Sequence, residues 1–203
     1  MTLMTFKLNS EEQIVVQSEY KINEILCCNE GLIFFKNKNN QKMMLRNDSL
    51  REALAVFVET LGEAIVGKLK LHISIIDDIG YMWNKSLNED SDLIYNGNGF
   101  WVGQANLLWS ISGYDYSKVT TWLYNDVNDN IVLEVTPTYK WHFQDPEPGD
   151  ALYTTYEEFM QKYKPILLRI IPEQIAVQWL KQAQDLLNKI EANTTAAKAE
   201  CGD

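Results

Sequence analysis

Residues 118–135 read KVTTWLYNDVNDNIVLEV, and this stretch decides the fold class. In an extended chain Val119, Thr121 and Leu123 fall on one side and Trp122 and Tyr124 on the other. The β-branched run 131–135 resumes that period of two after the polar segment NDVNDN. Two such runs around a short polar turn predict an antiparallel hairpin.

Toward the N-terminus a second hairpin is expected, with residues 32–35 and 43–45 flanking the polar turn 37–41. Short apolar runs at 5–8, 13–18 and 22–27 extend it into an N-terminal antiparallel sheet. Between the hairpins, Ser49 followed by Glu52 has the spacing of a capping box. Leu50, Leu54, Phe57, Val58, Leu61 and Ile65 then recur at the helical period until Gly67, which predicts an amphipathic central helix. Residues 70–76, KLHISII, are rich in β-branched side chains and predict a strand that carries His72 and ends at Asp77 and Asp78.

Toward the C-terminus, QDPEPGD at 144–150 breaks the sheet and leads into helices. Thr154 and Thr155 ahead of Glu157 and Glu158 form another capping signature. Pro172 precedes a helix whose stripe is Ile175, Trp179, Ala183, Leu186 and Ile190. Strands followed by helices, without strict alternation, predict an α+β fold in which antiparallel sheets pack against the central helix and C-terminal helices. The 203 residues suit one domain over 1–191, with 192–203 as a weakly ordered tail.

Composition narrows the function classes. Asp and Glu number 28 against 18 Lys and Arg, a formal charge of −10 that repels nucleic-acid phosphates and anionic membrane surfaces and attracts basic proteins. Three cysteines, two of them vicinal at Cys27 and Cys28, make no disulfide framework and fit a reducing compartment. The opening MTLMTFKLNSEE has neither a basic region nor an apolar core, and no apolar run approaches a membrane span, so a cytoplasmic location is expected.

Motif by motif, catalytic chemistry finds little footing. His72 and His142 have no partner at metal-ligand spacing, so no metal site and no cofactor is expected. Vicinal cysteines in ILCC suit a core, where free Cys packs as a small hydrophobe. Residues 96–103, NGNGFWVG, lack the spacing of a phosphate loop. Asp126, Asn128 and Asn130 match the first ligands of a calcium loop, but Ile131 and Pro137 stand where glycine and glutamate are required. Asp77 and Asp78 fit helix capping. The competing enzymatic reading is a metal-assisted hydrolase or phosphotransfer site built on Asp77, Asp78 and His72.

One compositional feature remains, a mixture of aromatics and acids across residues 89–150. Glu89, Asp90, Asp92, Asp126, Asp129, Asp145 and Glu147, with Trp101 as an aromatic anchor, are the expected contacts for a basic protein partner. In general character, a small acidic α+β chain without catalytic or export signals resembles bacterial immunity proteins. That resemblance implies a non-catalytic inhibitor that neutralises a basic partner such as a toxin domain.

Overall fold

The computed structural model describes residues 1–38, 40–76, 78–88, 101–111, 118–141 and 153–201. The α+β class expected from sequence holds. Strands β1 Thr2–Lys7, β2 Gln13–Gln17, β3 Glu30–Asn37 and β4 Asn40–Ser49 form one antiparallel sheet in that order. Strands β5 Leu107–Ile111, β6 Val119–Asn125, β7 Ile131–Pro137 and β8 Leu167–Ile171 form a second. Among the described residues four α-helices accompany them: α1 Leu50–Ile65, α2 Ile79–Asn88, α3 Tyr156–Gln161 and α4 Glu173–Cys201.

Helix α1 begins where its sequence signal lies, with Ser49 Oγ accepting from the Glu52 N–H, and it stops before Gly67, whose φ of 68° is a left-handed conformation that glycine adopts without steric cost. Phe57, in the middle of α1, joins the parts of the core. Its ring centroid is 5.3 Å from those of Phe6 in β1 and Trp109 in β5, and 6.5 Å from that of Trp179 in α4. Two indoles of this cluster find backbone partners: Trp109 Nε1 donates to the Ala53 carbonyl at 3.1 Å and Trp179 Nε1 to the Lys7 carbonyl at 2.9 Å. One apolar cluster therefore contains residues of both sheets, α1 and α4.

The hairpin at 118–135 forms in full register, with Thr121 opposite Val135, Trp122 opposite Glu134 and Leu123 opposite Leu133. Both faces of β6 and β7 are buried. Val119, Leu123, Leu133 and Val135 join the main core, while Trp122, Tyr124 and Val132 join a second cluster with Leu71, Ile75, Ile79 and Trp101.

Four expectations are corrected. Residues 70–76 do not form a strand. Buried Asn125 draws in this chain, its Oδ1 accepting from the Leu69 N–H and its Nδ2 donating to the Ala64 carbonyl. Lys70 makes one isolated bridge to Asn125, and a 3-10 helix follows at Ile73–Ile75. Residues 22–27 form a turn-rich loop in place of a strand, closed locally by the Glu24 and Ile25 N–H groups on the Lys21 carbonyl and tied down by α4. Asn193 Nδ2 donates to the Ile22 and Ile25 carbonyls, and Thr194 Oγ1 accepts from the Cys27 N–H. Those bonds go with the third correction: over residues 192–201 the expected weakly ordered tail is a continuation of α4. Lastly, the C-terminal region is not purely helical, since β8 follows α3 and pairs with β7.

Candidate functional site

The outer face of the second sheet runs in rows across three strands. Trp122, Glu134 and Leu168 make one row, and Tyr124, Val132 and Ile170 the next. Over β6 and β7 these rows are roofed by α2, the 3-10 helix and Trp101, so that Glu134 is only 4% exposed and Val132 only 3%. The roof stops before β8, where Leu168 and Ile170 are 49% and 53% exposed, and Ile166 just ahead of the strand is 41% exposed.

Beneath the roof lies a polar cluster. Tyr124 Oη donates to Glu134 Oε2 at 2.8 Å. Burial raises the Glu134 pKa above its ordinary value; the Tyr124 hydrogen bond opposes that shift and the nearby charge of Asp78 reinforces it. Asp78 is the cap of α2, its Oδ1 accepting from the Tyr81 N–H at 3.1 Å, and burial raises its pKa as well. The Tyr163 hydroxyl lies against Thr136 and Asp78 without a hydrogen bond of acceptable geometry. Burial, then the charges of Asp78 and Glu134, push its pKa up. Gly80 lets α2 sit this close, since a Cβ there would overlap both the Tyr163 hydroxyl and Thr136. Chemically, the cluster holds two carboxyls whose ionisation is disfavoured by burial.

The residues expected to carry enzymatic chemistry are placed as follows. His72 is exposed and caps the 3-10 helix, its Nδ1 accepting from the Ser74 N–H and sharing a 2.8 Å hydrogen bond with Ser74 Oγ. Asp78 caps α2, and Asp77 lies outside the described residues. Among the described residues no three His, Cys, Asp or Glu side chains converge as a metal site.

Of the residues expected to meet a partner, Glu89, Asp90, Asp92, Asp145 and Glu147 also lie outside the described residues. Trp101, expected as a surface anchor, is instead buried. Its ring centroid is 5.0 Å from that of Trp83 and 5.4 Å from that of Trp122. Asp126 and Asp129 share the β6–β7 turn. Asp126 Oδ1 accepts from the Asn128 and Asn130 N–H groups, and the Asn130 side chain is the main cause of its lowered pKa. Asp129, at a left-handed φ of 62°, pairs with Lys70 Nζ at 3.0 Å.

Two surface features escaped the sequence reading. On α1, Glu52, Val56, Glu59 and Glu63 are all exposed, and their 4-3-4 spacing puts them on one helical stripe. Arg51, the lone cation of this helix, is turned to Glu52 and to Glu191 of α4, while Glu59 and Glu63 have no ion pair among the described residues. The second feature is the bare outer stripe of β8. The doublet of exposed helical glutamates and the prolines at 165 and 172 bracketing ILLRII were the available signals.

Comparison with protein-family models, curated proteins and solved structures found no match to this chain. Among the described residues no helix is long and apolar enough to cross a membrane.

Proposed function

We propose that this chain is a non-catalytic protein-binding module of the inhibitor or immunity type, acting in the cytoplasm on a basic protein partner such as a toxin domain. The observation that carries the reading is the acidic stripe of α1. Glu59 and Glu63 extend into solvent without countercharges from the described residues, continue a stripe in which exposed Val56 lies between Glu52 and Glu59, and belong to a chain of net charge −10. A rigid helix with one sign of charge steers an oppositely charged partner, and the apolar residue between the charges adds contact area on arrival. Nucleic acid is disfavoured as a ligand by the same field.

The test is affinity capture from the source-cell lysate at low and moderate salt, with wild-type protein and the double variant Glu59→Lys, Glu63→Lys as baits. The reading expects a stoichiometric basic protein on the wild type, weakened by salt and lost from the variant. Equal capture by both baits would overturn the role of the stripe, and no capture would overturn the reading as a whole.

A further inference from the structure

From the open edge of the second sheet, we infer a binding site for an extended peptide segment of a partner protein whose side chains alternate between apolar and acidic, added as a strand beside β8. This goes beyond the acidic-stripe reading and uses a different surface.

The strand order ends at β8, and among the described residues no strand lies beyond it. Edge strands are ordinarily guarded by charge, proline within the strand or a covering element. β8 has its prolines only outside its bounds, at 165 and 172, and its solvent-facing positions are Leu168 and Ile170, with exposed Ile166 just ahead of the strand. Leu168 and Ile170 continue the rows whose members Val132 and Glu134 are buried on the neighbouring strand. The face is thus built as a covered face and left uncovered along one strand.

Beside that edge runs a groove between β8 and the β3–β4 hairpin. Leu167, Leu168 and Arg169 line one wall, and Phe35, Gln41 and Lys42 the other. Its charge has the opposite sign to the whole chain. Arg169 reaches across with its guanidinium 5.7 Å from the Phe35 ring centroid and its Nε 2.9 Å from Glu12 Oε1, which commits the Glu12 carboxylate. Lys42, opposite Phe35 in the ladder, has no ion pair among the described residues, and burial pushes its pKa down. An ammonium so placed gains from an incoming carboxylate.

An added strand sends alternate side chains to opposite sides of the sheet. One set meets Ile166, Leu168 and Ile170, which favours apolar residues. The other points toward Lys42, which favours acids, while Arg169 is already paired with Glu12. A second copy docking β8 against β8 would bring two Lys42 ammoniums to one seam, so a partner segment fits better. The Leu168 carbonyl accepts from Arg169 Nη1 at 2.8 Å, a contact the added strand would have to share or displace.

Fluorescence anisotropy with the labelled peptide Thr-Val-Glu-Val-Glu-Val-Thr, and with counterparts carrying Gln or Lys in place of Glu, tests the site on the full chain. The acidic peptide should bind best, by about tenfold or more over the lysine peptide. Leu168→Asp should abolish binding, with Ile170→Asp as the second variant if the first does not fold. Lys42→Glu should invert the preference, and Glu59→Lys with Glu63→Lys should leave it unchanged. Equal or absent binding of all three peptides, or binding that survives both outer-face substitutions, overturns the proposal. So does a wild-type dimer in sedimentation velocity that Leu168→Asp disperses, because a second copy would then hold the edge.

Discussion

Glu134 and Leu168 face each other across the β7–β8 ladder, and the carboxylate is buried while the leucine is half exposed. That inversion of the usual preference marks where the roof of α2, the 3-10 helix and Trp101 ends. It leaves an acid inside, held by Tyr124, and an apolar stripe outside. Stability and recognition predictions follow from the two sides of this pair.

On the inner side, stability should carry a pH signature. The folded-state pKa values of Glu134 and Asp78 are raised above their ordinary 4.5 and 3.8, so the native state binds these protons more tightly than the unfolded chain. Their contribution is most favourable below the ordinary values and is lost as pH rises through the raised ones. Urea midpoints measured upward from pH about 4 should show wild type losing stability relative to Glu134→Gln. A difference that does not vary with pH would refute the assignment.

The same roof depends on a missing methyl group. Gly80→Ala would ordinarily gain about 1 kcal/mol in a helix, but here the new Cβ overlaps Tyr163 and Thr136. Overpacking costs about 1–3 kcal/mol and should win, so the variant is expected to be less stable than wild type in chemical denaturation. A stabilised variant would show that α2 is not tightly docked.

Asn125 ties the end of α1 to β6 through the Leu69 N–H and the Ala64 carbonyl, and it is 2% exposed. Asn125→Ala strands the Leu69 N–H in a buried site, while the Ala64 carbonyl keeps the Gly67 N–H. A loss of about 1–3 kcal/mol in unfolding free energy is expected.

The hydrogen bonds from α4 to the 22–27 loop predict local effects. Asn193→Ala should speed amide hydrogen exchange across residues 22–29 while leaving β6 and β7 protected. Uniform acceleration through the whole chain would instead assign Asn193 a global role.

Much of this fold could be read from local signals. The period-two pattern at 118–135 and the Ser49 cap with its helical stripe are self-contained, and both formed as expected. Residues 167–171, LLRII, were missed because five residues that are apolar at all but one position carry no period that separates strand from helix. KLHISII has the composition of a strand, but Asn125, more than fifty residues away in sequence, takes the Leu69 N–H and redirects the chain. Trp101 and Glu134 were beyond reach for a similar reason. Whether an indole or a carboxyl at an outward strand position is buried depends on a roof assembled from distant segments. The exposed glutamates of α1 were visible in sequence, but only the ion-pair pattern distinguishes Glu59 and Glu63 from the paired Glu52.

The most direct test of the central claim is the association rate of the captured basic partner at about 50 mM and about 300 mM salt, a span over which screening shortens below about 10 Å. For wild type the rate should fall by about tenfold or more, and the Glu59→Lys, Glu63→Lys variant should associate slowly at both concentrations. A rate that ignores salt, or that the two charge reversals leave unchanged, would contradict the account.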